Sequence, residues 1–191
     1  MADFEWAYRH TSNKEGGYVN DPSDYGRETY RGISRRWHPY WEGWKIVDEV
    51  KTTTRLRDLT RCLNQREDLQ KLVKTFYKVT FWNVHKLDLV QDQVLAECIF
   101  DTGFHLGAKD AVLILQRALN VTNAQGKYYP DLIRDGDLGP VTLLAISRHR
   151  YPAILLSVFN ILRGYYFVQR MEEDPKQEKF IGWFNRLRWN P

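Results

Sequence analysis

A mainly α-helical fold carrying one small β-hairpin element near residues 18–34 is what this 191-residue chain predicts. Two observations carry that expectation. Apolar residues recur three and four positions apart along most of the chain, the spacing that lines one face of a helix. Strictly alternating runs are scarce, and the segment Gly16 to Gly26, dense in Gly, Asn, Asp and Pro, reads as turns joining short strands.

Taken in order, Phe4, Tyr8 and Thr11, with Trp6 and Ala7, outline a first helix, and Gly16-Gly17 is a natural stop because glycine accepts the left-handed conformation that ends helices. Glu15 is thereby expected at the carbonyl end. Partial negative charge there, together with any burial, disfavours an ionised carboxylate and raises its pKa toward that of a general acid. Residues 34–38 allow a short helix before Pro39, and Trp41 to Val47 read as a loop with some extended character. From Thr54 the spacing of Leu56, Leu59, Cys62 and Leu63 predicts a helix. Leu69, Leu72, Val73, Phe76, Tyr77, Val79 and Thr80 predict a longer one, opened by Arg66-Glu67-Asp68 and closed by Trp82-Asn83-Val84-His85.

Asp88 to Gln91 is a plausible boundary, dividing the chain into segments 1–90 and 91–191 that are expected to pack as one globule. Beyond it, Val94 to Phe104 and Ala111 to Leu119 predict two helices broken near Gly107, the second capped by Asp110 or by an upstream residue. Asn120 to Gly139 reads as a loop with a turn at Asp135-Gly136. Pro140 and Pro152 are each placed to open a helix. The first runs to about Arg148; the second carries the stripe Ile154, Leu155, Val158, Phe159, Leu162 and Tyr166. A last helix is expected around Glu178 to Leu187, and Glu172-Glu173-Asp174 reads as a solvated helix end.

Composition narrows function without fixing it. A 43% hydrophobic and 27% charged makeup is that of an ordinary globular protein. The net charge of +4 suits an anionic polymer, and the clusters Arg27-Arg31-Arg35-Arg36 and Arg148-His149-Arg150 suit nucleic acid as well, with Trp37, Tyr40, Trp41 and Trp44 nearby. No helix-turn-helix, zinc-finger or RNA-binding signature accompanies them, so no nucleic-acid partner is expected. No apolar run has the length of a membrane span, and the opening Met1-Ala2-Asp3-Phe4-Glu5-Trp6 lacks the basic and apolar regions of a signal peptide. The expectation is synthesis in the cytoplasm and no integral membrane segment. Cys62 and Cys98 read as reduced, buried thiols, and His85 and His105 have no partner at zinc-ligand spacing, so neither a metal nor a cofactor is expected.

The run Glu15-Gly16-Gly17-Tyr18-Val19-Asn20-Asp21-Pro22-Ser23-Asp24-Tyr25-Gly26, continued by Thr29 and Gly32-Ile33-Ser34, resembles the opening of glycoside hydrolase family 108, the bacterial and phage-associated N-acetylmuramidases. A second match runs from Phe100-Asp101 to Gly107, through Leu115-Gln116-Arg117-Ala118-Leu119, to Asp135-Gly136-Asp137-Leu138-Gly139-Pro140-Val141-Thr142. It resembles the peptidoglycan-binding-type helical segment that follows in that family. The resemblance implies a lysozyme-like helical fold and peptidoglycan glycan strands as substrate. It also implies a Glu, Asp and Thr pattern that Glu15, Asp24 and Thr29 match in spacing: Glu15 as the catalytic acid, Asp24 and Thr29 positioning water. Two carboxyl groups flanking the scissile bond are what glycoside cleavage needs.

Tyr18, fixed by its motif position, is a candidate to contact the saccharide. Tyr30, Trp82 and Asn83 are further groove candidates, with packing an equal reading for Trp82. Asp21 reads as a turn residue because Pro22 follows it. Asp101, on an apolar helix, reads as a buried carboxylate that caps or pairs with an arginine. One position departs from the family: Arg27 stands where a second glycine is usual, so its backbone either avoids positive φ or tolerates strain. The alternative function is a non-catalytic wall-binding or secretion-assisting protein. For the enzyme, a substrate outside the inner membrane requires holin-type, non-classical or lytic release.

Overall fold

The structure, a computed structural model, describes residues 1–12, 16–22 and 25–187. It divides into two compact units, one spanning Phe4–Thr80 and the other joining Met1–Asp3 to the chain from Phe81 onward. Helices dominate both. The expected mainly α, lysozyme-like class is what is found, with one three-stranded antiparallel sheet.

In the Phe4–Thr80 unit, α1 (Phe4–Ser12) buries Phe4, Ala7 and Thr11, a spacing of three and four that puts them on one face. The strands β1 (Tyr18–Asn20), β2 (Glu28–Tyr30) and β3 (Ile33–Ser34) follow in the order β1-β2-β3, within the range expected for the β element. Tyr18 pairs with Tyr30, Asn20 with Glu28, and Thr29 with Ser34. The β2–β3 connection is the two-residue turn Arg31-Gly32, both at positive φ (44° and 70°). Such a turn matches the strands' twist and needs glycine or a tolerant residue.

Helices α2 (Gly43–Thr53), α3 (Leu56–Asn64) and α4 (Glu67–Tyr77) pack against one another. The latter two lie where periodicity predicts them. Helix α2 corrects the reading of Trp41 to Val47 as a loop: Trp44, Val47 and Val50 fall at i, i+3 and i+6 and are buried. Trp44 is fixed further by its indole N–H donating to the His38 carbonyl (2.8 Å) and by the Arg35 guanidinium 4.5 Å above its ring. Residues 35–37 form turns rather than the short helix allowed before Pro39.

A π-helical turn, Lys78–Trp82, and two 3-10 turns, Asn83–His85 and Leu87–Leu89, lead to the second unit's helices. These are α5 (Gln93–Leu106), α6 (Ala108–Val121), α7 (Pro140–Arg148) and α8 (Pro152–Glu173), followed by a 3-10 segment, Pro175–Arg186, kinked at Phe180. Asp92 caps α5, accepting from the Leu95 N–H at 3.0 Å. Gly107, at φ 111°, separates α5 from α6, and no side chain caps α6, Asp110 included. Pro140 and Pro152 occupy first-turn positions, where a missing N–H costs nothing.

Two polar devices hold this unit. Asp101 is buried and paired with Arg163 at 2.6 Å and Arg186 at 3.0 Å, tying α5 to α8 and to the 3-10 segment. Gln116, also buried, donates to Asp135 Oδ1 (2.7 Å) and to the Asp137 carbonyl (3.1 Å) while accepting from the Gly136 N–H (3.0 Å). The glutamine and the Asp-Gly turn of the second motif are thus one hydrogen-bonded unit. No helix among the described residues is long and apolar enough to cross a membrane.

Candidate active site

Glu15 and Asp24 lie outside the described residues, so the site is built from what flanks them in the chain. Before Glu15, α1 closes on buried Thr11 and Ser12. After it comes Gly17, where a Cβ would stand 2.1 Å from Thr60 Cγ2 of α3. Only glycine fits that approach. The next residue confirms the seat: the Tyr18 N–H donates to Thr60 Oγ1 at 3.0 Å.

Asp24 falls within the β1–β2 connection, and its downstream end is well fixed. The Gly26 carbonyl accepts from Ser34 Oγ (2.8 Å), and a Cβ on Gly26 would lie 3.1 Å from Thr29 Oγ1. Arg36 donates to the Tyr25 carbonyl at 3.2 Å. Arg27 is exposed at φ 50°, so the arginine standing in place of the usual glycine does adopt positive φ. Both strain and charge enter the hairpin there.

Side chains alternate along a strand and cross-strand partners share a face. Thr29 therefore lies with Val19, which is 50% exposed, and with Ser34. Tyr18, Asn20, Glu28 and Tyr30 belong to the opposite face. The sheet consequently separates Thr29 from Tyr18, two residues that motif position alone had grouped.

Glu28 organises that opposite face, and sequence reasoning did not single it out. Its Oε1 accepts from the Tyr18 hydroxyl (2.7 Å) and Lys51 Nζ (2.6 Å), while Oε2 meets Arg35 Nε at 2.8 Å. Burial, then the hydrogen bond to Glu28, pushes the Tyr18 phenol up from its ordinary pKa, and the Glu28 contact raises that of Lys51. Arg35 also pairs with Asp48 at 2.7 Å. Held by two cations and a phenol, Glu28 anchors the hairpin to α2. Asn20, Arg27, Glu28, Arg35 and Arg36 line a cleft of about 450 Å³ on this side.

The other groove candidates have structural partners. Tyr30 is wholly buried, its hydroxyl donating to Asn64 Oδ1 (3.0 Å) and accepting from Gln70 Nε2 (2.9 Å). Trp82 is wholly buried too, its indole N–H bonded to Asp88 Oδ1 and its ring edge-on to Phe100. Neither leaves a ring face open to a sugar. Asn83 is exposed on the adjoining 3-10 turn, in the unit that does not contain the hairpin.

Among the described residues no group of three His, Cys, Asp or Glu side chains is placed to hold a metal ion. His85 Nε2 lies 2.8 Å from the Ala108 carbonyl. His105 packs edge-on against Phe167 and Trp183, and burial first, then the charges of Arg186 and Arg163, lowers its pKa to about 3.

Comparison with known proteins places these features. Residues 8–107 match the profile of the family described as Glycosyl hydrolase 108, and residues 110–188 that of a predicted peptidoglycan domain. SagA from Brucella abortus shares the fold, with a TM-score of 0.57 and 20% identity over 95% of this chain and 95% of that one. A search of curated proteins returns no match. With over half of its length under the first profile, including the whole stretch from Glu15 to Ser34, the chain belongs to the glycosyl hydrolase 108 family and is a glycoside hydrolase acting on peptidoglycan.

Proposed function

We propose that the chain is an N-acetylmuramidase, cleaving the β-1,4 bond between N-acetylmuramic acid and N-acetylglucosamine. Glu15 donates a proton to the departing glycosidic oxygen, and Asp24 with Thr29 orients a water toward the anomeric carbon from the opposite side. The observation that carries this reading is the closeness of Gly26 to Thr29, whose Oγ1 would lie 3.1 Å from a Cβ at position 26, with the Gly26 carbonyl held by Ser34 Oγ. The connection that contains Asp24 returns, two residues later, against the hydroxyl assigned to hold the water. A side chain at position 26 would press on that hydroxyl, which accounts for the motif's glycine.

A water-mediated displacement inverts the anomeric centre and needs carboxyl groups roughly 6.5–9.5 Å apart, whereas about 5–5.5 Å permits direct attack and retention. Arg27 and Arg36 add positive charge beside the connection, suited to an anionic polymer. Digests of purified peptidoglycan, reduced with borohydride and resolved by mass spectrometry, test the bond: reduced muramic acid ends are expected. Reduced glucosamine ends would transfer the cleavage to the other linkage. Proton NMR of fresh digests should show the α-anomer first; a β-anomer would remove Asp24 and Thr29 from the water-positioning role.

A further inference from the structure

The segment matching the predicted peptidoglycan domain contains a recess of about 210 Å³ between α6 and α8 whose charges are not consumed by the fold. Arg117 on α6 and Arg134 in the α6–α7 loop both border it, and neither has an ion pair or hydrogen bond among the described residues. Arg163 and Arg186 are spent on Asp101 and Arg170 on Glu173, whereas Arg148 and Arg150, also without an ion pair among the described residues, do not border the recess. The guanidinium of Arg117 is held in place instead by the Tyr165 ring, 5.8 Å from its centroid. Leu113, Ile114 and Leu162 make the apolar part of the lining.

Two guanidiniums without an ion pair, against the single carboxylate of Asp110 on the same lining, leave a net positive recess beside a small apolar surface and favour a carboxylate carrying a short alkyl group. Size narrows the ligand further. At about 210 Å³ the recess is smaller than the roughly 300–1,000 Å³ of pockets that enclose whole drug-sized molecules, so it admits the end of a chain and not a run of sugar rings. Asp110 and Gln169 also border it and are suited to the ligand's amide groups. We infer that this recess binds the free terminal carboxylate of a peptidoglycan stem peptide, an inference that rests on the reading of the chain as a peptidoglycan hydrolase.

The test is calorimetric titration of the full chain with N-acetyl-D-alanyl-D-alanine, as free acid and as C-terminal amide. The acid should bind, and the amide about tenfold more weakly. Arg117→Ala and Arg134→Ala should each weaken the acid by about tenfold or more, the range for losing one charge-assisted contact. Arg148→Ala, which removes the same charge from α7, should leave it unchanged. Absence of binding, equal binding of acid and amide, inorganic phosphate binding as tightly as the peptide, or an equal loss in Arg148→Ala would overturn the inference. Failure of the muramidase reading shows separately, as reduced glucosamine ends in wild-type digests, and leaves this titration untouched.

Discussion

Replacing Arg27 with glycine should stabilise the protein. At φ 50° the arginine's Cβ crowds the following carbonyl, a cost of about 1–2 kcal/mol for an L-residue. Glycine removes that cost but restores unfolded-chain entropy worth about 0.4–1 kcal/mol. The net gain spans about 0–1.6 kcal/mol and centres on about 0.8 kcal/mol. Scanning calorimetry should register it as roughly 1–4 °C in Tm if the chain melts as one transition, and roughly 2–8 °C if the Phe4–Thr80 unit melts alone. Arg27→Ala separates strain from charge, since alanine keeps the Cβ while losing the guanidinium, and should give no gain. An equal rise in Arg27→Ala, or a lower Tm in Arg27→Gly, would refute the strain argument. Lysis should survive Arg27→Gly, because the roles proposed for Glu15, Asp24 and Thr29 do not draw on the arginine side chain.

Two further outcomes concern the C-terminal unit. Asp101→Asn deprives the wholly buried Arg163 of its carboxylate and should cost about 3–5 kcal/mol in denaturant unfolding; a loss under about 1 kcal/mol would contradict the buried pairing. His105, held at a pKa of about 3 against an ordinary 6.5, stays neutral in the folded state where the unfolded state protonates. Its contribution is therefore intact above about pH 6.5 and is lost progressively as pH falls toward 3, by up to about 1.4 kcal/mol per pH unit. His105→Phe should flatten that part of the stability profile relative to wild type, and parallel profiles would show that His105 is not the group responsible.

What the sequence disclosed and what it withheld divide along physical lines. Local signals were legible: the three- and four-residue spacing of Leu56, Leu59 and Leu63, the Gly107 break, the prolines opening α7 and α8, and the turn-rich stretch that leads into the sheet. Helix α2 was missed because its stripe begins at Trp44, inside a stretch rich in aromatic and polar residues whose periodicity emerges only with Val47 and Val50. Pairings over long sequence separation were not legible. That a buried Asp101 would cap a helix or pair with an arginine follows from burial, but that it pairs, and with Arg163 and Arg186, depends on tertiary packing. Likewise Tyr18 and Thr29 share a motif, yet strand register places them on opposite faces and makes Glu28 the partner of Tyr18. Gly17 announces itself as a turn former, while the structure shows it chosen for its approach to Thr60.

The most direct test of the account is the lytic activity of Glu15→Gln. The amide is nearly isosteric and cannot donate the proton, so thermal unfolding and retention on insoluble peptidoglycan should match wild type while clearing of a peptidoglycan suspension falls by about 10²- to 10⁴-fold. A correctly folded Glu15→Gln protein that still lyses at more than about a tenth of the wild-type rate would remove Glu15 from the role of general acid.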